Sequence, residues 1–412
     1  MYKFGLKLWS INENYLTEAI RLYEEEVYSY IELYVVPESY PKFSDMWAGL
    51  QQKHNIPFVI HAPHFGHDLN LAKISSYERN MKLYQETKRF ADLLSVDYII
   101  FHPGVDGDIT ETVRQLNQIG DKRIIIENKP YYAMDSKLVC NCNSPEDMSF
   151  LIQETGLGFC LDVGHAFCSA KAREVDELIF LKEFMSLQPK LFHLSDGLID
   201  SVFDEHLNIG KGNYPLKDIL KTIGANKQIT IETNKNSQTN LEDFKQDVKN
   251  LINITKIDVI ILPIDKSDMM NIFELANDQA VRSLSFDSNK ITLEIHEKWF
   301  NAKLQDENNY FYKVIEGDNN FVGYVRYDFL QENEYVVSVA MKENYRGQGL
   351  CPRILIDSAD LLKTTQDIVA YIKHNNQISL KCFYKAGYVV VDEQYDYQGY
   401  ACYKLTLQKG KS

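Results

Sequence analysis

Nine residues able to bind metal or move protons recur at one kind of place along the chain. They are His61, His102, Glu127, Asp162, His165, His193, Asp204, His206 and Glu232. His61 closes the apolar run in "PFVIHAPH", His102 that in "DYIIFHPG", and Glu127 that in "RIIIENKP". Asp162 and His165 follow in "GFCLDVGH", His193 in "KLFHLSD" and Glu232 in "QITIETN". Asp204 and His206 stand in the loop "DEHLNIGKGNY" after the seventh run. Five imidazoles and four carboxylates at one mouth repel or desolvate one another unless a cation binds them. Imidazole and carboxylate together suit zinc, and also manganese or iron. One histidine at a strand end is ordinarily a satisfied polar residue; nine residues at matching positions call for another explanation. Gly210 and Gly212 are expected to let the loop backbone fold close to metal and substrate. His64 is expected to face substrate and His67 solvent, and His54 lies outside the pattern. A second stretch, "NYRGQGLCPRIL", sets Arg346, Gly347, Gln348, Gly349, Leu350 and Cys351 at the start of a helical pattern. Small residues there expose backbone N–H groups that can cradle a pyrophosphate.

Such a ring needs strands whose ends meet. Eight short β-type runs alternate with amphipathic segments such as "SYERNMKLYQETKRFADLLS" and "SPEDMSFLIQETG", the latter opening on Ser144 as N-cap and Pro145 in the first turn. This alternation predicts a (β/α)8 barrel, a fold whose active sites lie at the C-terminal ends of the strands. Near Thr255 the pattern restarts: "IDVIILPI" reads as a strand, "SDMMNIFELAND" as a helix opened by Ser267, and "EYVVSVAM" as a later strand. The expected domains are 1–255, the barrel, and 256–412, a second α/β domain.

Length and composition agree with two globular domains. The chain has 412 residues, 45% of them hydrophobic and 25% charged. Seven cysteines without a CxxC pair indicate reduced thiols and a cytoplasmic setting, and the spacing of Cys140 and Cys142 does not match a structural zinc site. "MYKFGLKLWS" has no signal-peptide pattern, and no apolar run reaches the ~18 residues of a membrane span. The net charge is −14; Met1 to Lys256 carries 27 Lys and Arg against 36 Asp and Glu, a net of −9. That balance argues against nucleic acid as a partner.

The motifs "IHAPHF", "IIFHPG", "IIIEN", "CLDVGHAF", "LFHLSD", "DEHLNIGKG" and "ITIET" give the first domain a resemblance to the xylose-isomerase-like superfamily, and within it to apurinic/apyrimidinic endonuclease family 2. The resemblance implies up to three zinc ions: His61 and His102 serve one, Glu127 bridges to a second completed by Asp162, His193 and Glu232, and His165, Asp204 and His206 hold the third. The superfamily's sugar isomerases and epimerases use Glu127, Asp162, His193 and Glu232 around one metal, zinc or manganese, and their two glutamates move a proton at a carbon beside a carbonyl. The full set leans towards hydrolysis. The acidic surface, and "HAPHFG" where the endonucleases carry an aromatic–apolar pair, favour a small-molecule substrate over DNA.

"NYRGQGLCPRIL", joined by "NQISLKCFYKAGY", resembles GNAT-type acetyltransferases, with Cys351 a departure at the last small position. The resemblance implies acetyl-CoA as cofactor, Asn376 in its site, and Tyr384 as the acid that protonates the departing thiolate. The segment Asn277–Phe300 and the strand "FVGYVRYD" are similar to acetyltransferases of nonulosonic (sialic-acid-like) sugar pathways, which makes Arg282, His296, Trp299 and Arg326 candidates for the nucleotide-sugar side. Glu334 or a water is the candidate base for the acceptor amine. Together these point to a bifunctional enzyme of carbohydrate biosynthesis: N-acetylation of an amino sugar by the second domain, and metal-dependent hydrolysis or isomerisation of a sugar or sugar phosphate by the barrel. The alternatives are a DNA-repair phosphodiesterase fused to an acetyltransferase, and a barrel that only binds.

Overall fold

The computed structural model describes residues 2–133, 138–317, 319–330, 334–347 and 349–409. They form two compact units, Tyr2–Lys256 and Ile257–Ser412. No helix among the described residues is long and apolar enough to cross a membrane.

In the first unit eight parallel strands close into a barrel: β1 (Lys3–Trp9), β2 (Tyr30–Tyr34), β3 (Phe58–His61), β4 (Ile99–Phe101), β5 (Ile124–Glu127), β6 (Gly158–Asp162), β7 (Leu191–Leu194) and β8 (Gln228–Ile231). β8 pairs back on β1, Gly5 opposite Thr230. The strands are buried on both faces, which is why they read as apolar runs rather than alternating ones. One face packs on the surrounding helices in the main core. The other fills the lumen with Tyr30, Val59, Ile100, Ile125, Cys160 and Leu191. Side chains two residues apart share a strand face. Two residues beyond Gly5, those six lumen residues and Thr230 stand Lys7, Glu32, His61, His102, Glu127, Asp162, His193 and Glu232. The polar ring is thus the next layer of the same lumen, and each strand line supplies one member.

The helix Pro145–Thr155 begins where its sequence predicts, with the Asp147 N–H donating to Ser144 Oγ at 3.2 Å.

The second unit is built on a seven-stranded sheet: β9 (Val259–Pro263), β10 (Tyr310–Glu316), β11 (Asn320–Phe329), β12 (Tyr335–Met341), β13 (Ile368–Lys373), β14 (Val389–Tyr397) and β15 (Tyr400–Leu407). Their order is β14-β15-β13-β12-β11-β10-β9. Every pairing is antiparallel except β12 with β13, which run parallel. Among the described residues that parallel pairing covers Tyr335–Val336 against Ile368–Val369 and goes no further. The helix expected to open at Ser267 is instead Met269–Ala276, preceded by a turn in which Asp265 accepts the Ser267 N–H. Aspartate two residues earlier outcompetes serine because its carboxylate is the stronger acceptor.

Candidate active sites

The barrel mouth gathers all nine residues singled out in the sequence. Their ligand atoms fall into groups that could each hold a cation: His61–His102–Glu127, Glu127–Asp162–His193 and His165–Asp204–His206. Glu32, His193 and Glu232 make a further such group. His193 Nδ1 lies 2.9 Å from Glu232 Oε2, 3.4 Å from Glu127 Oε2 and 3.7 Å from Asp162 Oδ2. His165 Nε2 and His206 Nε2 lie 3.3 and 3.2 Å from Asp204 Oδ2. His61 Nε2 and His102 Nε2 lie 3.1 and 3.2 Å from Glu127 Oε2.

The orientation of the imidazoles is fixed from behind. One ring nitrogen of each of three histidines meets a backbone carbonyl: His61 Nδ1 at Ala62 (2.7 Å), His165 Nδ1 at Asn128 (2.9 Å) and His206 Nδ1 at Glu232 (3.0 Å). The other nitrogen of each is left to face the carboxylates. For His193 the outer partner is a carboxylate: Nε2 lies 2.8 Å from Glu32 Oε2. This arrangement, a metal-facing nitrogen on one side and a fixing acceptor on the other, is the one found around protein-bound metals. The chemistry of the donor set fits a divalent ion on a second count. His193 Nδ1, Glu232 Oε2 and Asp204 Oδ2 are buried and make no hydrogen bond. A buried polar atom without a partner is costly; a cation in the Glu32–His193–Glu232 group would satisfy the first two, and a cation in the His165–Asp204–His206 group the third.

Charge follows from this crowding. Burial opposes ionisation of Glu32, yet His193 and Lys7 outweigh it and hold the carboxyl down at about 2. Burial disfavours protonated His165, but the neighbouring carboxylates of Asp162 and Asp204 lift it to about 10. Burial pushes the His64 imidazole down to about 3.

Three residues here escaped the sequence reading. Lys7 Nζ lies 2.6 Å from Glu232 Oε1 and 3.2 Å from Glu32 Oε1. Lys129 Nζ lies 3.1 Å from Glu127 Oε1. The signal for Lys7 and Glu32 was a charge inside an apolar run, "GLKLW" and "YIELY". Two expectations need correction. His67 is not simply solvated: its Nδ1 is 2.6 Å from the Tyr34 hydroxyl. The loop glycines serve a partner that the sequence did not name. The Gly210 and Gly212 N–H groups donate to Asp196 Oδ2 at 2.8 and 3.0 Å, and Tyr214 N–H donates to Asp196 Oδ1 at 3.2 Å. A Cβ on Gly212 would stand 2.2 Å from the Gly197 carbonyl oxygen. Gly212 is therefore needed for the loop to close on Asp196.

In the second unit a cavity of about 530 Å³ is lined by Val337–Ala340 of β12 and Ala370–Ile372 of β13, the residues beyond their short pairing. Arg282, His296, Trp299 and Arg326 all line it as well. Arg326 stacks over the Trp299 ring at 4.8 Å, and its Nε donates to Asp328 at 2.7 Å. Arg282 Nε and His296 Nε2 are buried without a hydrogen-bond partner. Gly347 and Gly349 adopt φ of +73° and +72°, leading into the helix Leu350–Leu361. Positive φ at both is a backbone conformation that glycine adopts without a Cβ penalty. Gln348 lies outside the described residues. The Arg346 side chain braces this turn, donating to the Met341 carbonyl and to Asp278 Oδ1, each at 2.8 Å. Leu350 is buried in the core, and the Cys351 thiol meets that of Cys382, which this contact pulls down to about 7. Asn376 accepts the Ser379 N–H at 3.1 Å and so caps the helix Gln377–Lys385. Tyr384 on that helix is half exposed, while Ser379 and Phe383 beside it line the cavity. Glu334 is paired with Lys404 at 3.0 Å, at the closed end of the β12–β13 pair.

Comparison with known proteins covers both units. The family described as xylose isomerase-like TIM barrel matches residues 22–254, and the GNAT acetyltransferase domain family matches residues 258–389. An uncharacterized protein of Methanocaldococcus jannaschii is 25% identical over 241 residues, covering 53% of this chain and 86% of that one. A probable endonuclease 4 of Aquifex aeolicus is 25% identical over 195 residues, covering 40% of this chain and 66% of its own. A solved D-tagatose 3-epimerase-like protein is 22% identical with a TM-score of 0.48, over 61% of this chain and 96% of that one.

Proposed function

The chain belongs to the xylose isomerase-like TIM-barrel family and carries a GNAT acetyltransferase domain after the barrel, and from that premise we propose an enzyme of carbohydrate metabolism with two activities. The barrel acts on a sugar or sugar phosphate with a divalent metal, zinc or manganese. The second domain transfers acetyl from acetyl-CoA to an amine on a related, nucleotide-linked sugar. One observation carries the barrel reading: His193 Nδ1, Glu232 Oε2, Glu127 Oε2 and Asp162 Oδ2 converge, with the first two left without hydrogen bonds.

Glu127, Asp162, His193 and Glu232 would hold the ion. When bound, it supplies Lewis-acid polarisation of a substrate oxygen. Glu127 and Glu232, both kept ionised in spite of burial, are then placed to take a proton from one face of a carbon beside a carbonyl and return it. Lys7 and His193 hold Glu232 in its charged, proton-accepting form. A second reading, phosphoester hydrolysis with more than one ion, is favoured by the separate His165–Asp204–His206 group. On the acetyltransferase side, Arg282, whose Nε lacks a hydrogen-bond partner in the cavity wall, would offer positive charge to a nucleotide diphosphate. The turn Arg346–Cys351 would receive the pyrophosphate of acetyl-CoA, and Tyr384 would return a proton to the thiolate.

The test offers the purified protein ketose and aldose phosphates, an abasic-site duplex, and amino sugars with acetyl-CoA, with and without added zinc or manganese. Metal-dependent turnover of a sugar phosphate, lost in Glu232→Gln while acetyl transfer continues, supports the proposal. Cleavage of the duplex with no sugar turnover would replace it with the DNA-repair reading.

A further inference from the structure

Lys129 follows the bridging carboxylate Glu127 by two residues, and its ammonium stands inside the cluster. Nζ lies 3.1 Å from Glu127 Oε1, 3.2 Å from His165 Nε2 and 3.4 Å from His102 Nε2. The residue is pinned at both ends of its main chain: its N–H donates to the Cys142 carbonyl at 3.2 Å, and its carbonyl accepts from Ser169 Oγ at 3.1 Å. We propose that the Lys129 ammonium is the resident cation between the His61–His102–Glu127 and His165–Asp204–His206 groups, and that the barrel accordingly works with a single metal ion, held by Glu127, Asp162, His193 and Glu232. The proposal rests on the metal-dependent reading of the barrel and narrows it to one ion.

His165 Nδ1 faces the Asn128 carbonyl, so the ring nitrogen that would be turned towards a metal is Nε2, and the Lys129 ammonium stands 3.2 Å from it. The same ammonium reaches His102 Nε2, so one lysine engages a histidine from each of two candidate metal groups. An ion about 2.0–2.1 Å from those nitrogens would be pressed against a buried positive charge. The remaining group escapes this conflict. Lys7 takes Glu232 Oε1 and leaves Oε2 for His193 Nδ1. Overall charge points the same way, since Lys7 and Lys129 already offset two of the carboxylates among Glu32, Glu127, Asp162, Asp204 and Glu232.

One ion beside a fixed ammonium suits proton transfer better than hydrolysis of a phosphodiester. Removing a proton from an α-hydroxy carbonyl compound puts negative charge on the carbonyl oxygen, and an ammonium in the mouth stabilises that oxygen as it forms. The C–H electron pair moves into the new C=C bond of the enediolate, the proton goes to a glutamate, and its return to carbon completes isomerisation or epimerisation with no net oxidation.

The full chain, purified without chelators, loaded with zinc and desalted, is analysed by elemental mass spectrometry beside Lys129→Met and Lys129→Gln, with thermal melts to verify folding. The expected result is about one ion per chain in the unsubstituted protein, as four ligands provide for, and two or more in both variants. Cobalt-loaded samples should show an uncoupled paramagnetic signal in the former and a spin-coupled pair in the latter. Two or three ions in the unsubstituted protein, or a count that neither substitution changes, overturns the inference and leaves the metal-dependent reading standing. Absence of bound metal from every sample overturns that reading as well. If neither variant folds, the count in the unsubstituted protein decides.

Discussion

At the scale of single residues, the barrel mouth is organised by charged partners that stand behind the candidate ligands. Glu32 is the clearest case. It faces His193 Nε2 at 2.8 Å and accepts from Thr230 Oγ1 at 2.7 Å, and so turns His193 Nδ1 towards Asp162 and Glu232. Glu32→Gln keeps a hydrogen-bond acceptor but removes the charge that raises the basicity of the imidazole. Metal affinity should fall about 10- to 100-fold, the usual loss for a partner of this kind. Competition with a chromophoric chelator measures it, and the melting curve of the metal-free protein shows whether the fold is intact. An unchanged affinity would mean that Glu32 only balances Lys7. Seven of the nine candidate ligands were legible because they end or closely follow an apolar run at a matching place, and Asp204 and His206 because they stand together in the loop after the seventh run. Glu32 and Lys7 were not, because an acid and a base within apolar strands look like ordinary surface residues until the strands are closed into a barrel. Lys129 had no periodic signal; its role appears only when the helix and loop that fix its backbone are in place.

At the scale of elements, the strands and their order could be read from alternation, but the loops could not. The run "DEHLNIGKGNY" suggested glycines thinned for the approach of metal. In the fold they close the loop on Asp196, whose carboxylate accepts from Gly197, Gly210, Gly212 and Tyr214. Nothing in the local sequence names Asp196 as that partner, since the contact spans 14 to 18 residues. The closure makes Gly212→Ala informative. Its Cβ would meet the Gly197 carbonyl at 2.2 Å and Asp196 Oδ1 at 2.5 Å, so the backbone must shift and the donor bonds to Asp196 are lost. A cost of about 1–3 kcal/mol is expected from overpacking of this kind. For a unit of this size that corresponds to a melting transition lower by roughly 2–12 °C. His206 should lose its anchor on the Glu232 carbonyl at the same time. Scanning calorimetry reads the first effect. The crystal structure or imidazole NMR resonances of the variant read the second. A variant with the original melting temperature would show that the loop relaxes at no cost. The second unit shows the same division. Its glycine turn and β12 were legible as a motif, whereas the parting of β12 from β13 after two residue pairs depends on sheet geometry that spacing does not encode.

At the scale of the whole molecule, the two proposed activities belong to separate cores. The barrel unit packs its strands against its own helices, and the C-terminal unit has its own hydrophobic cluster around Val314, Val325, Ile354 and Leu405. The residues assigned to metal chemistry all lie in Tyr2–Lys256, and those assigned to acetyl-CoA and its acceptor all lie in Ile257–Ser412. A core that closes within one segment can fold from that segment alone. Expressed separately, the two segments should each unfold in a single cooperative transition. The first should bind metal as the full chain does, and the second should turn over acetyl-CoA with kcat/KM within a few-fold of the full chain. His193→Ala in the full chain should abolish metal binding and leave acetyl transfer intact. If the C-terminal segment is folded but idle until the barrel is added back, the barrel supplies part of the acceptor site, and the reading of two independent activities gives way to that of a binding module serving the acetyltransferase.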